Sequence, residues 1–375
     1  MIRQNIRSFP ITSLAVFMER IREIQDMFQE ENCNFCRDLS RNSNRVHVCA
    51  NSSAKECPMW FRGHEYEHYT LLPSLYRKQV SQSPVSVWGR YSPMHLREDA
   101  RDQVFRSRTY HIMQNSIETS LEWQEVKQHH RANTRFLDWS ESAFHALIFA
   151  LEALLDPRST SYDVMQRKDT FSPTVWVLNP KALNATIYCI LSDQLELLHR
   201  AEPTLANDMQ TALLAGYSSF FLSSFCNEPN TSGYLSLSVL NAHRAERGDY
   251  QQRLGQHELN PFHHLLLRYY SDALPVDAGI LPPMATLATF HSKRIEAQRG
   301  VFTVFPVASD ASQPLSNLLD RRALENQPTA NKYLACLNIV DPEHLAYDIR
   351  RCGIDIGWVY PEADWYALRM ESNTS

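Results

Sequence analysis

The chain has 375 residues, 43% hydrophobic and 21% charged, with 37 Lys+Arg against 42 Asp+Glu for a net charge of -5. That length holds two or three average domains, or one large domain with insertions, and it can bury a substantial core. The charge balance excludes an overall basic footprint for nucleic acid and a polybasic membrane surface, while leaving room for a local basic groove.

In chain order, Ser13 is placed to cap a helix whose apolar face is Leu14, Phe17, Ile21, Ile24 and Phe28, spaced by three and four. Residues 31–58 turn polar, carry four cysteines and read as an insertion before the first strand. Two helices are expected over 94–113 and 117–130. Ser140 is expected to cap a third, with Phe144, Leu147, Leu151 and Leu154 on one stripe and Ala146 and Ala150 beside it. Phe171-Ser-Pro is a break, and Val175-Trp-Val-Leu-Asn a buried strand. Residues 185–270 read as mostly helical, with a polar surface stretch at 241–258. A loop led by Pro282-Pro283 is expected over 282–292, and Val301-Phe-Thr-Val-Phe is a strand closed by Pro306. Residues 308–332 are loop-like, and His344 to Arg351 a short helix. The expected class is α+β, a modest mixed or antiparallel sheet surrounded by helices.

Glycine numbers only 10 residues where an average frequency near 7% gives roughly 26. Neither Gly-x-Gly-x-x-Gly nor a P-loop motif occurs, which argues against a Rossmann or P-loop phosphate cradle. No 18-residue apolar run and no apolar N-terminal core are present, so the expectation is a cytoplasmic protein with no membrane partner.

Three blocks set charged or amide side chains beside dense apolar runs, an arrangement that is costly to bury unless the polar groups are paired or bind something. The first, 60–77, begins Trp-Phe-Arg-Gly-His-Glu; the second, 129–150, contains Thr-Arg-Phe-Leu-Asp-Trp-Ser; the third, 294–306, contains Glu-Ala-Gln-Arg-Gly. Arg62 ends a short apolar stretch and precedes Gly63, which suits close approach of a phosphate; the alternative is a structural ion pair with Asp138. In the second block a strand would place Thr134, Phe136 and Asp138 on one face, and the free helix N-terminus after Ser140 favours an anion; the alternative is a capped helix locked by an Arg–Asp pair. In the third, Glu296 and Gln298 share a face if the strand begins early and would then reach sugar hydroxyls; the alternative is a solvated strand start.

Matched in order, these blocks resemble the FRG domain family, named for its Phe-Arg-Gly, over about 10–20 and most of 60–370. Set against that family, which usually passes more directly from the helix to Phe-Arg-Gly, the chain reads as an N-terminal helix with a cysteine-bearing insertion over 1–59, a core over 60–310 with a helical insertion near 185–258, and a closing segment over 311–375. A strand arginine, a Ser/Thr strand leading into a helix that ends Ala-x-x-Phe-Ala, and a Glu/Gln strand are in turn similar to the three-part layout of ADP-ribosyltransferases. Carried over, Arg62 holds the NAD phosphates, Thr134 or Ser140 supports the nicotinamide ribose, and Gln298 or Glu296 faces the oxocarbenium-like centre. Asp138 joins this catalytic set, and Gly63, His64, Tyr76, Arg77, Arg135 and Ser140 join Arg62 in contacting the cofactor. Gln298 departs from the pattern, because an amide cannot act as a base, although its dipole can stabilise developing charge. The implied activity is ADP-ribosyl transfer or NAD hydrolysis, with an unknown acceptor macromolecule, in a bacterial or phage conflict system.

Two other classes stay open. His64-Glu65-Tyr66-Glu67-His68 fits His-Glu-x-x-His, the signature of a zinc-dependent hydrolase, although its flanks read as strand and loop. A metal-dependent hydrolase or nuclease would use His64, His68, His129 and Asp138. A non-catalytic module binding nucleotide, nucleic acid or a protein is the other class. Cys33, Cys36, Cys49 and Cys57, with His47 as a substitute ligand, read either as a structural zinc site or as free thiols in a polar insertion.

Overall fold

A computed structural model describes residues 6–43, 58–77, 103–105, 107–109, 120–130, 132–156, 171–180, 182–184, 186, 235–236, 283–287, 293–305 and 323–360; for 31–43, 120–124, 235–236 and 287 the backbone alone is described. The strands are β1 (Arg7–Ile11), β2 (Trp60–His64), β3 (Phe136–Ser140), β4 (Thr174–Leu178), β5 (Leu235–Ser236), β6 (Met284–Leu287), β7 (Gly300–Val304) and β8 (Leu334–Ile339). They form one eight-stranded sheet in the order β1-β8-β4-β2-β3-β7-β6-β5. Pairing is parallel at the two outer pairs, β1–β8 and β5–β6, and antiparallel between β8 and β6. The fold is therefore α+β with a mixed sheet, larger than the modest sheet expected. Pro10 is accommodated because β1 is an edge strand.

Helices lie against this sheet: α1 (Leu14–Ser43), α2 (Ser74–Arg77), α3 (Ser120–His129), α4 (Ala143–Ala150), α5 (Glu152–Leu155), α6 (Lys293–Gln298) and α7 (Pro342–Arg351). Alternation along the strands builds two cores. On one face Phe61, Val175, Val177, Leu337 and Ile339 pack with Phe17, Ile21, Ile24 and Phe28 of α1, with α4 and with α7. On the other, Trp60, Leu137, Trp139, Trp176 and Leu178 pack with Leu71, Leu75, Tyr76 and Tyr333.

Ser13 caps α1 as expected, its Oγ accepting from the Val16 N–H at 3.3 Å. The helix does not give way to an insertion at 31, however; it runs to Ser43. Residues 31–43 contain neither Pro nor Gly, so a polar sequence prolongs an already nucleated helix. Ser140 is not the helix cap. It ends β3, and Ser142 caps α4 by accepting from the His145 N–H at 3.4 Å. The expected stripe through Leu154 is broken at Leu151, where α4 ends and α5 begins. The loop expected at 282–292 contains β6, held by its antiparallel ladder to β7. Glu296 and Gln298 lie on helix α6, not on a strand start, so they do not share a face. The final helix begins two residues earlier than expected, with Asp341 as its cap accepting from the His344 N–H. Within 308–332 the described part forms two short 3₁₀ turns, Leu324–Asn326 and Ala330–Lys332. Within the stretch expected to be helical at 185–270, Thr186 is helical, but Leu235–Ser236 forms β5, paired in parallel with β6; the rest of that stretch and most of 94–113 lie outside the described residues.

Candidate functional site

β2 makes five register pairs with β4, and β3 makes five with β7, but β2 and β3 share a single one, Phe61 with Ser140. The sheet opens where these strands part. A cavity of about 680 Å³ fills the opening, lined from β2 by Phe61 to His64, from β3 by Asp138 to Ser140, and from β7 by Gly300 and Phe302. Arg77, Gln128, Glu152, Arg294 and Gln298 add helical walls.

Arg62 bridges the opening. Its Nε donates to His64 Nε2 at 3.0 Å, and its Nη1 donates to the Asp138 backbone carbonyl at 2.5 Å. A carbonyl beside parted strands needs a donor, and the guanidinium supplies it. The Asp138 carboxylate stands 3.9 Å from the same nitrogen and is half exposed, so the ion pair itself is weak. Burial pulls Arg62 down to about 10, against the attraction of Asp138 and with a further push from nearby Arg77; it stays charged at neutral pH. Arg62 thus makes the pair with Asp138 and also lines the cavity.

Gly63 has a different reason for being glycine from the one expected. A Cβ there would lie 2.0 Å from the Ala146 carbonyl oxygen and 2.5 Å from the Ala150 nitrogen. The missing side chain admits the backbone of α4 against β2.

Asp138 accepts from Gln128 Nε2 at 2.8 Å through both carboxylate oxygens. Thr134 is buried just before β3 and outside the cavity lining; its Oγ1 bonds Gln128 Oε1 and accepts from the Phe136 N–H at 3.2 Å. It shapes the turn into β3 and does not line the cavity. Arg135 is also buried away from the cavity, Nη1 donating to the Phe305 carbonyl at 3.0 Å, and Tyr76 packs edge-on against Phe305. Glu296 is exposed and outside the lining.

Ser140 and Gln298 do meet. Ser140 Oγ donates to the Gln298 backbone carbonyl at 2.6 Å, and His145 Nδ1 lies 3.1 Å from the same oxygen. The Gln298 side chain donates one of its two amide N–H bonds to the Val359 carbonyl at 2.9 Å, which ties it to the C-terminal segment. Burial lowers the His145 pKa, opposed by the contact with Gln298 and assisted by Arg299.

Arg77 is exposed, and its Nε donates to the Leu72 carbonyl at 2.7 Å. Among the described residues, neither Arg77 nor Arg294 makes an ion pair, and Arg294 lies over the Tyr360 ring, 4.8 Å from its centroid. Tyr69, with 43% exposure, lines the same cavity and meets His64 and His68 edge-on.

The helix required by His-Glu-x-x-His does not form: His64 ends β2 and His68 follows in a turn. Among the described residues, no three His, Cys, Asp or Glu side chains are grouped to hold a metal ion. Cys33 and Cys36 lie on α1, where the backbone alone is described; Cys49, Cys57 and His47 lie outside the described residues. Among the described residues, no helix is long and apolar enough to cross a membrane.

Glu152, Arg294, Tyr69 and Gln128 line the cavity but were not singled out in the sequence. Glu152 carried a usable signal, a lone carboxylate within the apolar run Phe144–Leu155. Arg294 opens the third block, two residues before Glu296 and four before Gln298.

The fold and site define an α+β protein with an arginine-lined cavity at a split in its sheet. Residues 57–159 match the FRG domain, so the chain carries an FRG domain over that segment. No curated protein and no solved structure matches the chain. The matched segment holds β2, β3, α4 and α5, while Arg294, Gln298 and β7 reach the cavity from outside it.

Proposed function

We propose that this cavity binds a nucleotide, with NAD the first ligand to test. The supporting observation is the convergence of Arg62, Arg77 and Arg294 on one space of about 680 Å³. That volume falls within the roughly 300–1,000 Å³ of small-molecule sites. Guanidinium groups suit phosphate because their planar N–H forks hydrogen-bond it bidentately. Arg77 is the principal phosphate ligand in this reading, since Arg62 is already engaged by the β3 backbone. Tyr69 supplies an aromatic face for a base. The reaction class is cleavage of the nicotinamide–ribose bond, giving ADP-ribosyl transfer or NAD hydrolysis, and the conflict-system setting belongs to the same proposal.

A non-catalytic binding module is the second reading, favoured by Gln298, an amide that donates to Val359 and cannot act as a base. Titration of the protein with NAD, together with assay of nicotinamide release, separates the two. Arg77→Ala is the variant of choice, because Arg77 contributes little to packing. Expected is NAD binding weakened at least tenfold by Arg77→Ala. Equal affinity in wild type and variant, or no affinity in either, refutes the assignment.

A further inference from the structure

Glu152 begins α5 on the helical wall of the cavity, where a carboxylate has few reasons to be. Its Oε1 accepts from the Tyr360 hydroxyl at 3.0 Å, its one hydrogen-bond partner among the described residues. Tyr360 is itself fixed by Phe149, edge-on at 6.1 Å, and by Arg294 over its ring. Glu325 offers a contrast: it is buried and accepts from the Leu71 N–H through both carboxylate oxygens, at 3.0 and 3.2 Å. Glu152 is oriented through one oxygen in a cavity that also holds cationic side chains.

Resting on the nucleotide reading above, we propose that Glu152 is the catalytic carboxylate of this cavity, supplying the acid–base group that Gln298 cannot. In the step this implies, the ribose C1–N bond breaks and its electron pair leaves with nicotinamide, neutralising the pyridinium. The ionised Glu152 faces the positive charge developing at the ribose. An attacking water, or an acceptor hydroxyl, forms the new C1–O bond, and its proton passes to the Glu152 carboxylate and then to solvent. Nothing beyond NAD and the nucleophile is consumed.

The groups bearing on Glu152 fix how this carboxylate titrates. Burial raises its pKa, the Tyr360 hydrogen bond opposes that rise, Glu65 and Asp156 add to it and Arg294 opposes it. A group raised by burial is a better base once ionised, and it costs stability while charged.

The test uses the full chain with NAD. Glu152→Gln keeps the acceptor for Tyr360 and removes the charge. Nicotinamide release should fall about 100-fold or more, with NAD affinity held within about threefold and a melting temperature at pH 7 no lower than wild type. Wild-type release should decline as pH falls through the raised pKa, and Tyr360→Phe should shift that decline to higher pH. Release within about threefold of wild type in Glu152→Gln overturns the assignment. Wild-type protein that binds NAD but releases no nicotinamide also overturns it, leaving the binding reading intact. Wild-type protein that does not bind NAD removes both.

Discussion

Replacing Gly63 by Ala tests the packing that holds the site open. The added carbon would lie 2.0 Å from the Ala146 carbonyl oxygen, against about 3.4 Å for ordinary contact, so the backbones must part by roughly 1.4 Å. No rotamer change relieves the clash, because both nearest atoms belong to the α4 backbone. α4 cannot retreat freely, since Ala146, Leu147, Ile148 and Ala150 are buried in the core. Overpacking of this kind costs about 1–3 kcal/mol, and a backbone-on-backbone clash belongs at the upper end, about 3 kcal/mol. In thermal unfolding of a 375-residue chain that corresponds to a loss of roughly 4 °C. Gly353→Ala is the control: it keeps a strained φ of +73° but meets nothing within 4 Å, and should cost only about 1 kcal/mol. Because α4 leads directly into Glu152, Gly63→Ala should also lower nicotinamide release. Unfolding of Gly63→Ala within about 0.5 kcal/mol of wild type would refute the close-packing account of the Phe-Arg-Gly glycine.

Asp138→Ala should cost less than about 1 kcal/mol in denaturant unfolding, because its ion pair with Arg62 is long, its carboxylate is half exposed and its bonds from Gln128 are exposed too; a loss above about 2 kcal/mol would show that its contacts with Arg62 and Gln128 together are structural. His145 should make stability depend on pH: its folded pKa lies below the unfolded value near 6.5, so the native state binds fewer protons, and stability should fall as pH drops below about 6.5. In His145→Asn that part of the slope should vanish, which unfolding curves across pH 5–7.5 would reveal. If the N-terminal cysteines hold zinc, metal analysis should find about one equivalent, lost in Cys33→Ser and retained in His64→Ala; the opposite pattern would favour the histidine site.

The sequence by itself determined what local chemistry controls. The α1 register follows from apolar residues three and four apart, and Phe17, Ile24 and Phe28 are fully buried as that spacing requires. The strands at 174–178 and 300–304 are dense apolar runs, and the α+β class follows from such runs set among helical periods. Local signals also placed Arg62, Ser140 and Gln298 in meaningful blocks, and these three do share one cavity.

The tertiary structure decided which polar residues face that cavity, because this depends on partners far along the chain. Thr134 and Arg135 look like site residues beside Asp138, yet Thr134 is buried outside the lining and bonds the lining residue Gln128, and Arg135 turns to Phe305. Gln298 is committed to Val359, a partner 61 positions away. Gly63 reads as an opening for phosphate until the backbone of α4 is seen to occupy the space. Glu152 gains its orientation from Tyr360, 208 positions distant. Periodicity reports burial of a face, but the parting of β2 from β3 is a property of sheet register. That register is set by the packing of both cores at once, and no single segment encodes it.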